Sequence, residues 1–177
     1  MKKWLRFWPL AAILLGVGIF LITARFQSVE DYYGAQPEEE ATSSTVTLSI
    51  RCDDILAHYD RLDPSLQSEE FVPADGVILP ATAFGFTEGD TVFDLLLAAT
   101  RQYRIQMEYQ GSTRYGSAYV QGIGHLYEFS CGPTSGWMYR VNGVDPSVGC
   151  SNYALKPGDR VEWYYICSLE ETYESNG

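Results

Sequence analysis

Strict alternation of apolar and polar residues marks the two ends of the folded part of the chain. From Thr45 to Arg51, the apolar side chains of Val46, Leu48 and Ile50 fall on one face. From Arg160 to Cys167, a second alternation puts three apolar residues on one face: Val161, Trp163 and Tyr165. A period of two predicts a strand with one buried face, so we expect a first and a last strand at these positions.

One amphipathic helix is predicted between these strands, beginning after Gly89-Asp90. Thr91 is suited to the N-cap, and Asp94 stands three residues later, as in a shortened capping box. Apolar residues then recur on one stripe at helical spacing: Val92, Leu95, Leu96, Ala99 and Tyr103. Two further apolar residues widen the stripe, so we expect a deeply seated helix that ends near Tyr103.

The segments between these elements predict shorter structure. Residues 53–70 fit one or two helical turns, or an irregular segment. Residues 72–86 fit a strand or an edge strand broken at Pro80, because proline cannot donate to a sheet ladder. Three further strand-like segments follow between residues 105 and 130, each ended by a glycine or a polar residue.

Together these elements predict an α+β domain. It has one main helix early in the chain and five or more strands, most of which follow the helix. The order of strand, helix, strands and closing strand fits a β-grasp-like arrangement, in which a mixed sheet packs on the helix. The first and last strands of such a sheet lie side by side and parallel at its centre.

The N-terminal segment predicts a membrane anchor. An apolar run from Phe7 to Ala24 follows three basic residues, and its eighteen positions just span a hydrocarbon core. The flanking positive charge favours a cytoplasmic N-terminus, with the chain after Arg25 outside. A cleavable signal peptide is the alternative, but Ile22-Thr23-Ala24 is a poor cleavage site. Either interpretation exports the rest of the chain.

The chain is accordingly divided into four parts. Residues 1–25 are predicted to form a signal anchor and transmembrane helix, and residues 26–44 an extracytoplasmic linker. The folded domain is expected at 45–168, and an acidic tail at 169–177. The predicted location is the cell membrane, with a single span and the domain on the extracytoplasmic side.

Charge disfavours one class of partner. The net charge is −11, and none of the 23 acidic residues falls in the basic N-terminal segment. An exported domain this acidic repels phosphate backbones, so nucleic-acid binding is not expected. Four aspartates between residues 53 and 63 raise a calcium alternative. Their spacing matches no calcium-binding loop, and a solvated acidic face is the better interpretation.

Four cysteines predict two disulfides once export is assumed. In a reducing compartment they could ligate a metal, but there is no Cys-x-x-Cys pair and only two histidines, so no metal site is predicted. Four cysteines allow three connectivities. In the β-grasp-like arrangement Cys52 and Cys167 follow adjacent parallel strands at the same end. This predicts a Cys52–Cys167 bridge and leaves Cys131 with Cys150.

The stretch from Cys131 to Cys150 is the most densely specified part of the sequence. It contains an aromatic strand, Trp137 to Val141, and an Asn142-Gly143 pair that strongly predicts a hairpin turn. Two interpretations of Trp137 stay open: a core tryptophan, or an aromatic platform for a flat ligand or sugar ring. Catalysis is not predicted, because the sequence contains no nucleophile–base spacing, phosphate loop or metal cluster.

Three blocks of sequence, taken in order, resemble a known family. They are GDTVFDLL at 89–96, SGWMYRVNG at 135–143 and GCSNY at 149–153, with a further Gly-Asp at 158–159. Together they are similar to the transcobalamin-like C-terminal domain, also described as DUF4430, over about residues 45–167. We therefore interpret the chain as a bacterial, membrane-anchored member with a β-grasp-like fold.

The resemblance implies a ligand-binding surface. In the vertebrate cobalamin carriers, the related domain covers one face of a corrinoid with its aromatic strand and neighbouring loops. Carried over, the contact residues are Ser135, Gly136, Trp137, Met138, Tyr139 and Asn142. The carriers also have a large helical domain that completes the site, whereas here an anchor and a linker come first.

We therefore expect an extracytoplasmic module that binds a corrinoid or another planar small molecule, without a required cofactor. The alternative is a module that docks another envelope protein or has a structural role, with no small-molecule ligand.

Overall fold

The computed structural model describes residues 44–111 and 116–170. The predicted anchor at 1–25 lies outside the described residues, as do nearly all of the predicted linker and most of the predicted tail. Within the described ranges, no helix is both long enough and apolar enough to cross a membrane.

Seven strands and two α-helices make up the described part of the chain. The strands are β1 (Thr45–Arg51), β2 (Val77–Gly85), β3 (Met107–Gln110), β4 (Tyr119–Ile123), β5 (Leu126–Tyr127), β6 (Gly136–Val141) and β7 (Arg160–Ile166). The helices are α1 (Asp53–Ala57) and α2 (Val92–Tyr103), with short 3-10 turns at Tyr59–Arg61 and Pro64–Leu66. The ambiguous segment after β1 is therefore one helical turn followed by 3-10 structure.

The strands form two sheets, and the α+β class is confirmed. The larger sheet has the order β2-β1-β7-β6, and β1 and β7 lie parallel at its centre, as the sequence predicts. β2 and β6 are its edge strands, and each pairs antiparallel with its neighbour. The sequence predicts one sheet, but the later strands β3, β4 and β5 form a second, antiparallel sheet.

The core lies on the apolar face of the central strands and beneath α2. Val92, Leu95, Leu96 and Ala99 of the predicted helical stripe are all buried, as are the predicted inward residues of β1 and β7. The capping box is present at the start of α2, where the Thr91 hydroxyl accepts from the Asp94 N–H at 3.2 Å. Tyr103 at the end of the stripe is 44% exposed and contacts Phe84 edge-on.

β2 continues through Pro80, where the sequence predicted a break. Pro80 is exposed on an edge strand, the place in a sheet where a proline, which has no N–H to donate, is tolerated. Opposite this point, the register of the pairing between β1 and β2 shifts between Leu48 and Ile50 of β1. An irregular edge thus accommodates the proline without ending the strand.

The Asn142-Gly143 turn forms, but it does not connect two long hairpin strands. The N–H of Val141 donates to the carbonyl of Val144 at 2.9 Å, and the reverse bond is 3.0 Å. Asn142 and Gly143 both have positive φ, as a tight turn of this kind requires. The strand that pairs with β6 is β7, which begins only at residue 160.

The predicted disulfides are wrong: Cys131 is bridged to Cys167, while Cys52 and Cys150 are free and buried. The pairing of Arg51 with Tyr164 places Cys52 level with Tyr165. Cys167 lies two residues beyond Tyr165, just past the end of β7 and about 6.6 Å further along the chain direction. Adjacent parallel strands were predicted correctly, but the register places the two cysteines out of line.

Cys131 approaches Cys167 from the other side of β7. Gly136 pairs with Ile166, so the turn that leads into β6 runs beside Cys167, and the two bridged Cα atoms are 5.0 Å apart. Cys150 lies elsewhere: its carbonyl accepts from the N–H of Phe93 at the start of α2. The predicted Cys131–Cys150 bridge is therefore replaced by one that ties the end of β7 to the β6 turn.

Candidate functional site

A cleft of about 440 Å³ lies along the free edge of β6, facing the start of β4. Three stretches of chain and one further side chain line it: residues 118–120, residues 137–139, residues 145–150 and Trp163. The lining is mainly apolar and aromatic, which is typical of small-molecule sites of this size. Trp137, Met138 and Tyr139, three of the six predicted contact residues, thus meet at one site.

The backbone of β6 presents to this cleft hydrogen-bonding groups that no other described strand pairs with. The N–H of Asn142 donates to the carbonyl of Arg160 at 2.8 Å, so even-numbered residues of β6 direct their backbone groups at β7. In an antiparallel pair this direction alternates, and the carbonyl of Ser135 correspondingly bonds outside β7. The N–H and C=O groups of Trp137 and Tyr139 therefore face the free edge of the sheet.

Trp137 is a core residue as well as part of the cleft wall. Its side chain is 9% exposed, and its indole N–H donates to the carbonyl of Leu126 at 2.7 Å. Its ring also meets Tyr165 edge-on, with ring centroids 5.3 Å apart. The core interpretation of Trp137 is confirmed, and Trp137 offers only a small part of its surface to a ligand.

Trp163 lines the cleft and has a buried polar atom that is unpaired among the described residues. It is 3% exposed, and its indole N–H has no hydrogen-bond partner among the described residues. Tyr139 packs against it with ring centroids 5.5 Å apart. A buried donor without an acceptor costs about 1–3 kcal/mol, and in native proteins such a group calls for an explanation.

The outer wall of the cleft, residues 145–150, is held by hydrogen bonds from the strands. The hydroxyl of Tyr139 donates to the carbonyl of Val148 at 2.6 Å, and that of Tyr164 donates to Asp145 at 2.9 Å. Arg140 lies over the Tyr164 ring at 3.8 Å, with its Nε 3.5 Å from Asp145. Side chains from both faces of the sheet therefore hold this wall.

The wall also packs closely on the segment that leads into β4. Ser117 and Ser151 share a hydrogen bond at 2.9 Å, and Ser151 accepts from the N–H of Ala118 at 3.0 Å. A Cβ added at Gly149 would lie 2.1 Å from Ser117 Oγ, so only glycine permits this approach. The Ser117 side chain thus lies directly against the backbone of the wall at Gly149.

The other three predicted contact residues lie outside the cleft. Ser135 is buried, and its hydroxyl bonds the Cys131 N–H at 3.1 Å and the Tyr165 hydroxyl at 3.0 Å. Gly136 is half-buried at the start of β6. Asn142 bonds Asp159 and Arg160 and lines a second cavity, of about 390 Å³. Within the described residues, these three hold the turns at either end of β6.

Sequence reasoning missed Trp163 and the 145–150 wall. Trp163 was predicted as a buried strand residue, which it is, but no sequence signal shows that its N–H is unpaired. The wall lies inside the stretch that the sequence singled out, between the Asn142-Gly143 turn and Cys150. The bonds that fold it back, from Tyr139 and Tyr164, depend on strand register and not on local pattern.

Burial of the Tyr139 hydroxyl predicts a pH effect. Desolvation raises the pKa of Tyr139 from 10.0 to about 12. Because the folded pKa is above the unfolded one, the neutral hydroxyl stabilises the fold fully below pH 10, and this contribution is lost as the pH rises to 12. In urea unfolding, the Tyr139→Phe variant should lose less stability than wild type over this window. Tyr103→Phe, at an exposed position, is the control, and equal losses in all three proteins would contradict the assignment.

The described residues form an α+β domain with an aromatic cleft at a sheet edge. Residues 89–166 match the family described as "Domain of unknown function (DUF4430)". This match runs from the start of α2 to the end of β7 and includes every stretch that lines the cleft. The resemblance predicted from the sequence is confirmed over these residues. No curated protein sequence matches the chain.

Two solved structures are similar to this chain at low sequence identity. One is haptocorrin in complex with Cbi, with a TM-score of 0.49, 14% identity, and coverage of 71% of this chain and 25% of haptocorrin. The other is a protein from Ruminococcus gnavus ATCC 29149 described as a candidate metal-binding protein, with a TM-score of 0.41, 11% identity, and coverage of 69% and 95%. The chain thus spans about a quarter of haptocorrin.

Proposed function

We propose that the cleft beside β6 binds a small planar or cyclic molecule that carries a hydrogen-bond acceptor. The observation that carries this proposal is the indole N–H of Trp163, which is buried and unpaired in a side chain that lines an aromatic cleft. An acceptor on the ligand would satisfy that donor. The ring of Tyr139, which packs against Trp163, would supply apolar contact at low entropic cost.

The backbone at the β6 edge adds direction to this site. Trp137 and Tyr139 each present an N–H and a C=O toward the cleft, so a ligand with paired donors and acceptors can bond there without moving a side chain. A cleft of about 440 Å³ lies within the range of small-molecule sites. A corrinoid exceeds this volume, so it would be covered on one face and would need a second surface to close the site.

A binding role is favoured over catalysis by the state of the polar groups in the cleft. Asp145 accepts a hydrogen bond from Tyr164 and lies beside Arg140, so these contacts already explain its place in the cleft wall. Burial raises the pKa of the Cys150 thiol, which keeps it protonated and weakly nucleophilic. We propose no reaction and no required cofactor at this site.

The setting of the site is part of the same proposal. Residues 1–25 would anchor the chain in the membrane, residues 26–44 would act as a spacer, and the β-grasp-like domain at 45–168 would face the extracytoplasmic side, with a short acidic tail after it. Protease treatment of intact cells checks this topology. Digestion of the domain in intact cells is expected, and protection until lysis would contradict it.

Titration of the full-length chain with a panel of ligands tests the binding proposal. The panel contains cobalamin, a corrinoid without its nucleotide loop, and flat heterocycles with and without a carbonyl acceptor. We expect calorimetric heat and an absorbance change for at least one acceptor-bearing ligand. Absence of both across the panel at high micromolar concentration would reject the small-molecule function.

A matched pair of variants locates the ligand. Trp163→Phe removes an unpaired N–H, whereas Trp137→Phe removes one that is bonded to Leu126. Trp163→Phe should weaken an acceptor-bearing ligand about fivefold, the value of one hydrogen bond of about 1 kcal/mol. Trp137→Phe should be the less stable protein, by about 1–3 kcal/mol, because it leaves a buried carbonyl unpaired. Equal affinity of Trp163→Phe and wild type would remove Trp163 from the site.

The free edge of β6 favours a second candidate function, the docking of an extended segment of another envelope protein. An edge strand with unpaired backbone groups is a template for strand addition, and the aromatic cleft would take alternate side chains of the added strand. In this case the N–H and C=O groups of Trp137 and Tyr139 bond a peptide backbone.

Two valines allow this docking function to be tested with a matched control. Val148 is 45% exposed in the cleft wall, and Val144 is 68% exposed outside it. Pull-down from envelope extracts should lose its partner with Val148→Asp and retain it with Val144→Asp. Amide hydrogen exchange on the purified pair should then show protection of Trp137 and Tyr139. A partner retained by both variants, or no new protection at β6, would reject docking at this edge.

A further inference from the structure

Four side chains of metal-ligand type meet at the end of β7, away from the cleft. Asp54 lies in the first turn of α1, and His58 caps the end of that helix. The nearest ligand atoms of Asp54, His58 and Cys167 all lie within 4.8 Å of one another. Cys131, the bridge partner of Cys167, is the fourth, with its Sγ 3.8 Å from the His58 carbonyl.

Contacts of the Asp54 carboxylate also hold this group in place, independently of the bridge. The Cys167 N–H donates to Asp54 Oδ2 at 2.6 Å, which fixes α1 to the end of β7. The spacing of four residues between Asp54 and His58 puts both on one side of the short helix, with His58 Nδ1 3.3 Å from Asp54 Oδ1. Both side chains are partly exposed, so an ion can reach them, whereas the two sulfurs are buried.

We infer that these four side chains form a zinc site when the Cys131–Cys167 bridge is reduced, so that the bridge and the metal are alternative ways of closing the same corner. Two thiolates, one imidazole and one carboxylate are ligands that zinc accepts, and four ligands match its tetrahedral preference. Soft sulfur ligands favour zinc over magnesium or calcium. The oxidised protein lacks both thiolates and offers only Asp54 and His58.

A dithiol reductant supplies the electrons and protons that convert the bridge into the two thiols. A protein dithiol transfers two electrons and two protons to the Cys131–Cys167 disulfide, which becomes two thiols while the donor becomes a disulfide. Zinc binding then releases the two thiol protons to solvent as two Zn–S bonds form. Zn–S bonds are about 2.3 Å long and Zn–N bonds about 2.0 Å. The ligand atoms of Asp54, His58 and Cys167 lie within 4.8 Å of one another and so require only small side-chain adjustments. Cys131 lies beside Cys167 through the bridge, and its sulfur must turn toward the ion once the bridge is reduced.

The test is a titration of the full-length chain with zinc and cobalt in the oxidised and reduced states. Cobalt reports directly on sulfur ligation, through sulfur-to-cobalt charge-transfer absorption and tetrahedral d–d bands. We expect both signals only after reduction, and competition of zinc against a chromophoric chelator should give the affinity. Variants Asp54→Asn and His58→Ala should each lower zinc affinity by at least about tenfold, since even outer-sphere changes cost that much. Asp60→Asn, an exposed acid nearby, is the control and should match wild type.

Cys52 and Cys150 must be distinguished from the proposed ligands, because both are free thiols. Cys52 is fully buried and is not among the residues whose ligand atoms lie within 4.8 Å of one another, so it should not bind the ion. The variant Cys52→Ala/Cys150→Ala should keep the cobalt signal, and Cys131→Ala/Cys167→Ala should lose it. If either double variant fails to fold, the reduced wild type and reduced His58→Ala are compared by thermal unfolding with and without zinc.

In that comparison, zinc should raise the unfolding temperature of the reduced wild type and not that of reduced His58→Ala. Equal metal affinity of the oxidised and reduced chain would overturn the inference. So would a sulfur-to-cobalt band that is unchanged by both Asp54→Asn and His58→Ala. Because none of the four ligands lines the cleft, neither result bears on the proposed function.

Discussion

Replacing both bridged cysteines, Cys131→Ala with Cys167→Ala, should lower the free energy of unfolding by about 4 kcal/mol. The bridge closes a loop between residues 36 positions apart. In the chain-entropy account, a loop of this length restricts the unfolded ensemble by about that amount. Because small domains are stable by only about 5–15 kcal/mol, this is a large fraction of the total, and urea unfolding under oxidising conditions measures it.

The single variant Cys52→Ala is the control for loss of a buried sulfur. Cys52 is free and fully buried, so its replacement costs only packing, about 1 kcal/mol. A non-reducing peptide map should join the peptides of Cys131 and Cys167. A map that joins Cys52 to Cys167, or a double variant no less stable than Cys52→Ala, would contradict the bridge.

Trp137→Ala should be the most damaging single substitution in the aromatic strand, lowering the free energy of unfolding by about 3–5 kcal/mol. The change removes a side chain that is 9% exposed, and it also breaks the bond from the indole N–H to Leu126. The edge-on contact with Tyr165 is lost as well. Chemical unfolding monitored by far-UV circular dichroism measures the loss.

Met138→Ala is the matched control, because Met138 is the next residue along and points to the opposite face of the sheet, where it is only half-buried. Its replacement should cost well under half as much. If the two variants were equally stable, Trp137 would not be a core residue. The comparison also shows why Trp137→Ala is unsuited to a binding assay: lost binding would reflect lost folding. Trp163→Phe is the appropriate probe of the cleft.

Sequence pattern was sufficient for the parts of the fold that repeat over several residues. The alternation in β1 and β7, and the helical stripe with its cap in α2, were predicted with nearly their observed bounds. Their parallel placement at the sheet centre was also predicted, because few topologies fit that order of elements. The short strands of the second sheet carry too few residues for such a pattern, and their separation from the main sheet was not foreseen.

The disulfide was mispredicted because the hydrophobic pattern of the sequence does not determine strand register. Knowing that β1 and β7 are neighbours leaves their register open, and a shift of two residues decides whether Cys52 or Cys131 meets Cys167. The register is set by packing of Ile50 against Trp163 and their neighbours, which involves the whole core.

The candidate site was predicted only in part, because part of it depends on tertiary packing that the sequence pattern does not show. The aromatic strand was identified from its composition and from the family resemblance, and it lines the cleft. Trp163 could not be singled out, because an unpaired N–H is a property of what surrounds a side chain. Asn142 was predicted as a contact and lies at the second cavity, since its left-handed φ and its bonds to Asp159 and Arg160 fix it in the turn.

The parallel pairing of β1 with β7 has a consequence for the timing of folding. Thr47 pairs with Arg160, so the central contact of the larger sheet joins residues more than a hundred positions apart. Contacts of such long range form late and slow the folding rate. A growing chain that has not yet reached Arg160 lacks the middle of this sheet and leaves β1 with one open side. We therefore expect this domain to acquire its structure only after β7 has been synthesised. The intermediates before that point should be the ones most prone to wrong strand pairing.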